Sequence, residues 1–151
     1  MLIELLILNY VCMNKKVQDL QAVAARIKKS EGITYGIVAD VTKLSGIRKK
    51  IAKKMSLPEE FYALTREING IRSDSAELYA LGKGKGGYFT DVAKSNKKKT
   101  ASERIVLGET EFDYLVYLPA EHHYELQDRI GGNSVAIFAN LADALVYMFG
   151  V

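Results

Sequence analysis

The stretch Ser56–Leu81, SLPEEFYALTREINGIRSDSAELYAL, constrains the fold more than any other part of the chain, because it combines a helix start, a helix stop and the beginning of a strand. Pro58 suits a first helical turn, where its missing N–H is not needed, and Glu59 and Glu60 suit the positive end of the helix dipole. Phe61, Leu64 and Ile68 fall on one apolar stripe. Asn69-Gly70 predicts the stop, since glycine readily takes the left-handed conformation found just past a helix C-terminus. A polar turn at Ser73–Ser75 then leads into the apolar strand Glu77–Leu81.

Upstream, Val17, Leu20, Ala24 and Ile27 recur at helical spacing, so Asn14–Lys29 reads as an amphipathic helix with a stop at Glu31-Gly32. A second helix is predicted over Val41–Met55, with Leu44, Ile47, Ile51 and Met55 on one face and Lys43, Lys49, Lys50, Lys53 and Lys54 elsewhere. Downstream the period changes. Phe112, Tyr114, Val116 and Leu118 alternate with Asp113, Leu115 and Tyr117, which is the period of a strand. Pro119–Glu121 is the next turn and His122–Asp128 the returning strand. Gly131-Gly132-Asn133 turns again, and Asn140 caps a last helix whose Leu141, Leu145 and Met148 point inward. Helices followed by a strand meander predict a single α+β domain over 1–151, with an antiparallel or mixed sheet packed by N-terminal helices and a C-terminal helix.

The opening MLIELLILNYVC is apolar but shorter than the ~20 residues of a membrane span, and Glu4 lies inside it. No basic region precedes it as a secretory signal requires. It reads either as a buried first helix or strand, or as an extension over residues 1–12 that the domain does without. The single cysteine, Cys12, excludes an internal disulfide framework and a multi-cysteine metal site, which makes the cytoplasm the expected compartment.

Net charge is +3, yet residues 1–104 carry 20 Lys or Arg against 11 Asp or Glu, a balance of +9, whereas 105–151 carry 1 against 7, a balance of −6. Lys83, Lys85, Lys94, Lys97, Lys98 and Lys99, interleaved with Tyr88 and Phe89, offer phosphate contacts and stacking surfaces to a nucleic acid; the plainer reading is a solvated loop. Gly82–Gly87 resembles a phosphate cradle but lacks the Gly-Lys-Ser/Thr of a P-loop. His122 and His123 are adjacent in a strand and so point to opposite faces, which argues against a shared metal ion. Cys12 has no evident catalytic partner. No cofactor, metal or enzymatic activity is expected. Glu109, Glu111, Asp113, Glu121, Glu125 and Asp128 all fall in the C-terminal strands and turns; sharing a face, they would form a partner-binding surface that imitates phosphates toward a basic cleft, and the plainer reading is a solvated rim.

The order Leu57-Pro-Glu-Glu60, aromatic, short amphipathic helix, Asn69-Gly70 and a strand carrying Tyr79 resembles the SUKH superfamily, the Smi/Knr-like toxin-immunity proteins. Ile105–Tyr117 resembles that family's paired strands, His123–Arg129 its next strand, and Val135–Phe149 its closing strand and C-terminal helix. The Gly/Lys-rich segment 82–100 and the absence of Trp depart from the pattern. The resemblance implies a binding protein that neutralises a cognate bacterial toxin domain, a nuclease for example, by occluding its active site. The alternative function is a nucleic-acid-binding regulator using the lysine-rich loop 83–99, and a weaker third is a small hydrolase.

Overall fold

The computed structural model describes residues 1–37, 41–82, 89–97 and 104–151. Helical periodicity read from Asn14 begins much earlier, because neither Pro nor Gly interrupts the N-terminal run: α1 is unbroken over Leu2–Lys29, about 42 Å at 1.5 Å per residue. Only its second half packs. Leu20, Val23, Ala24 and Ile27 are buried, whereas every residue from Met1 to Asn14 is exposed. The opening segment is therefore helical but exposed, which corrects the reading of it as a buried first helix or strand.

Helix α2 covers Val41–Ala52, and Leu44, Ile51 and the following Met55 are buried as their spacing predicted. Helix α3 covers Glu59–Thr65, with Pro58 at the N-cap, one residue outside the helix. The predicted stop needs correction. The helix ends at Thr65, four residues before Asn69-Gly70, and that pair has another role. The buried Asn69 side chain accepts from the Leu81 N–H at 2.8 Å and donates to the Leu81 carbonyl at 3.1 Å, tying two chain segments together. Gly70 has φ +94°, and the Phe89 ring lies where a Cβ would stand.

Seven strands follow chain order in one sheet with every neighbouring pair antiparallel: β1 Thr34–Tyr35, β2 Ile71–Arg72, β3 Ala76–Leu78, β4 Ile105–Thr110, β5 Asp113–Leu118, β6 His123–Asp128 and β7 Ser134–Phe138. The short helix α4, Val92–Ser95, precedes β4, and α5, Leu141–Phe149, closes the fold. Asn140 caps α5 by accepting from the Asp143 N–H at 2.9 Å. The α+β class and the antiparallel meander are as expected. Cross-strand pairs Leu115–Leu126 and Tyr117–Tyr124 share one face, which meets the helices through a core that includes Leu20, Phe61, Leu64, Leu141 and Leu145. Among the described residues no helix is long and apolar enough to cross a membrane.

Beyond the short β3, the edge of β4 is completed by a side chain. Buried Asn96 accepts from the Val106 N–H at 2.9 Å and donates to the Val106 and Val92 carbonyls at 2.9 and 2.7 Å. Asn96→Ala leaves these buried backbone groups unpaired and should lower stability by about 2 kcal/mol, read from the urea midpoint at unchanged slope.

Candidate functional site

Because the meander reverses at Ser73–Ser75, Glu111-Phe112 and Arg129–Asn133, these three turns stand at the same end of the sheet. They are tied to one another by main-chain bonds. The Glu111 N–H donates to the Ser75 carbonyl at 3.1 Å, and the Arg129 N–H donates to the Phe112 carbonyl at 3.0 Å. Within the first turn, the Ser73 hydroxyl accepts from the Ala76 N–H at 3.2 Å. The end of the sheet is therefore a preorganised surface.

This end collects carboxylates from distant segments, because β3 pairs with β4 and places Glu77 opposite Glu109, while β5 pairs with β6 and places Asp113 opposite Asp128. A cleft of about 240 Å³ is lined by Arg72, Asp74, Glu77, Glu109, Glu111 and Arg129, together with the turn residues. Glu77 accepts from Arg72 at 3.0 Å and from the Thr90 N–H at 2.7 Å. Glu109 pairs with Arg129 at 2.9 Å, and that guanidinium lies 4.8 Å from the centre of the Tyr114 ring. Burial first, then the Glu109 and Glu77 carboxylates, hold the Tyr79 hydroxyl above its ordinary pKa and keep it neutral. By contrast, the Asp74, Glu111 and Asp113 carboxylates have no hydrogen-bond or ion-pair partner among the described residues. Glu111 and Asp113 adjoin Phe112, which is 71% exposed at the tip of the β4–β5 turn, and Asp74 lines the cleft together with Glu111. Ile130, fully exposed on the adjoining turn, adds a second apolar tip.

The six acidic residues proposed from sequence thus divide. Glu109, Glu111, Asp113 and Asp128 meet at the turn end. Asp128 is occupied there, accepting from the backbone N–H groups of Ile130, Gly131 and Asn133, and these bonds, Gly131's first, hold its carboxyl below the usual range. Glu121 lies at the opposite end, in the β5–β6 turn, and Glu125 is buried in mid-sheet against His123 at 3.1 Å. Neither of these two joins the surface. Asp74 and Glu77 were missed because they sit far upstream in the chain and reach the site only through the β3–β4 pairing. Phe112 was read as a strand residue, and only the tightness of the Glu111-Phe112 turn puts it at the tip.

At the opposite end, a groove of about 450 Å³ is lined by Met13, Lys16, Leu57, Pro58, Glu60, Tyr117, Pro119, His122 and Tyr124, among others. Its carboxylate is structural: Glu60 accepts from the Leu141 N–H at 2.9 Å and the Tyr124 hydroxyl at 3.1 Å. Burial pushes the Glu60 pKa up, against the lowering effects of the Leu141 N–H, Lys16 and Tyr124. His122 lies in the β5–β6 turn with φ +53° and not in the strand as expected, its ring 3.5 Å from the Tyr117 hydroxyl, whereas His123 begins β6 and lies on Glu125. Among the described residues no His, Cys, Asp and Glu cluster is arranged to hold a metal ion. Lys83, Lys85, Lys98, Lys99, Tyr88 and most of Gly82–Gly87 lie outside the described residues. Phe89 lies against Gly70 and under the Arg72 guanidinium, 5.4 Å from its ring centre, so its faces are engaged within the protein.

No family model, curated protein or solved structure matches the chain.

Proposed function

We propose that this protein is a SUKH-type immunity protein that binds a cognate toxin domain stoichiometrically in the cytoplasm and occludes a basic active-site cleft. The observation that carries the reading is the exposed Phe112, held on a cross-tied turn between the unpaired carboxylates Glu111 and Asp113, with Asp74 in the cleft that Glu111 also lines. An aromatic anchor within a polar rim is the usual anatomy of a binding hot spot, and charge of one sign steers a partner of the other. A toxin that cleaves nucleic acid offers such a partner, because its cleft must be basic to hold phosphates. The order of motifs from Leu57 to Phe149 supports the same reading.

Co-expression with the toxin domain encoded in the neighbouring reading frame tests it. Cells should survive with the unmodified protein. Phe112→Ala should weaken binding about 30-fold, and Glu111→Lys with Asp113→Lys should slow association about tenfold at low salt, with the deficit shrinking as salt rises. Full protection and unchanged affinity in a folded triple variant would move the interface elsewhere. No protection by the unmodified protein would reject the immunity reading, and tight, steeply salt-dependent binding to random oligonucleotides would favour the nucleic-acid alternative.

A further inference from the structure

The first half of α1 is uncovered on all sides. Leu2, Ile3, Leu5, Leu6, Ile7, Leu8, Tyr10, Val11 and Met13 are each between 41% and 75% exposed. At roughly 100 Å² apiece they present about 900 Å² around the whole helix, beyond the ~300–600 Å² of the largest apolar patch on a typical monomer. The outer face of the same helix changes character where the body of the protein ends. Gln18, Arg26 and Lys29 are polar, and Ala22 is small, where α1 lies on the core, whereas Leu8 and Val11, on the same line along the helix, are larger and apolar beyond it. Packing against the chain's own body therefore does not account for the composition of this arm.

Lipid does not fit it. Among the described residues no helix is long and apolar enough to cross a membrane. A helix lying in the membrane interface needs a polar, usually basic, face, and no Lys or Arg occurs between Leu2 and Asn14. A helix apolar all round is instead one enclosed by protein. The charges indicate which protein. Glu4, Leu8, Val11 and Lys15 follow at i, i+4, i+7 and i+11, so they form one line along the helix. Turned end for end about the midpoint between Asn9 and Tyr10, this line meets itself with Glu4 opposite Lys15 and Leu8 opposite Val11. The seam is complementary to its own antiparallel copy.

We infer that the exposed arm Leu2–Met13 is a dimerisation helix that pairs antiparallel with the arm of a second copy of this chain along Glu4, Leu8, Val11 and Lys15. The interface is isologous, as a two-fold dimer requires. The seam faces away from Leu20, Val23, Ala24 and Ile27, the side that docks on the body, so pairing displaces no intramolecular contact. The arm also leaves the body beside Pro119 and His122, at the end of the sheet opposite Phe112, so pairing leaves the acidic turns open.

Sedimentation velocity of the full chain tests this. The expected result is a concentration-dependent dimer at twice 16.8 kDa. Leu8→Glu should give a monomer whose melting temperature equals that of the unmodified protein diluted to its monomeric range. Glu4→Lys, which sets like charges opposite each other twice, should weaken the dimer about tenfold, and Glu4→Lys combined with Lys15→Glu should restore it. A monomer at every concentration overturns the inference, as does a dimer that survives Leu8→Glu or that the double charge swap fails to rescue. So does a monomer that co-sediments with phosphatidylglycerol/phosphatidylethanolamine vesicles and loses that property in Leu8→Glu.

Discussion

Replacing Glu60 with Leu is expected to destabilise the fold by about 3 kcal/mol, since two buried donors then lose their acceptor at ~1–3 kcal/mol each. One is the Leu141 N–H at the N-terminus of α5 and the other is the Tyr124 hydroxyl on β6. The carboxylate thus joins α3, the sheet and the last helix at one point. Glu60→Gln should cost far less: its carbonyl still accepts from Leu141, and its amide donates to Tyr124, whose oxygen then accepts. The pair of variants separates loss of bonding from loss of charge. Both variants lack a titratable group at this position and should also differ from the unmodified protein in their dependence on pH. Because burial raises the Glu60 pKa above 4.5, the folded protein binds this proton more tightly than the unfolded chain. Between 4.5 and the raised value the native state holds more protons, so the Glu60 contribution to stability is greatest at acid pH and declines as pH rises through that window. Above the window it is constant. Thermal melts across the weakly acidic range should show the decline in the unmodified protein and a flatter profile in Glu60→Gln.

Gly70→Val should destabilise the protein by about 3 kcal/mol or more, from two separate costs. At φ +94° a β-branched residue is strained. In addition, its Cβ would lie 2.6 Å from Cγ of Phe89 and 2.9 Å from Cδ1, so the ring must move. Pairing Gly70→Val with Phe89→Ala distinguishes them: the double variant should recover the steric part only. Stability equal to that of the unmodified protein in the single variant would contradict both costs.

Periodicity made the helices and the C-terminal meander legible, and Asn140 was readable as a cap, because each depends on neighbours within a few residues. What was hidden depends on distant partners. Glu59 and Glu60 look alike beside a helix N-terminus, yet only Glu60 meets Leu141, and no local rule tells them apart. Asn69-Gly70 looked like a helix stop because its residue types suit one; its true partners, Leu81 and Phe89, lie 12 and 19 residues on. Of the acidic set, chain position alone could not separate Glu121 from Glu111, since the face and end each residue occupies follow from strand register. The N-terminal arm was ambiguous for a related reason. Apolar side chains announce that something covers them, but not whether it belongs to the same molecule.

A sheet whose strand order equals its chain order has a consequence for synthesis on the ribosome. Each strand, as it emerges, finds its neighbour already made, so hairpins can form in turn without waiting for later sequence. The helical layer has no such freedom. Glu60 emerges 81 residues before the Leu141 N–H that it holds, an interval of roughly 4 to 16 s at ~5–20 residues per second. Until then Glu60 lacks one of its two donors, so closing α3 over the sheet would bury a half-satisfied carboxylate. The part of the core that α5 covers therefore stays open until α5 itself has been synthesised.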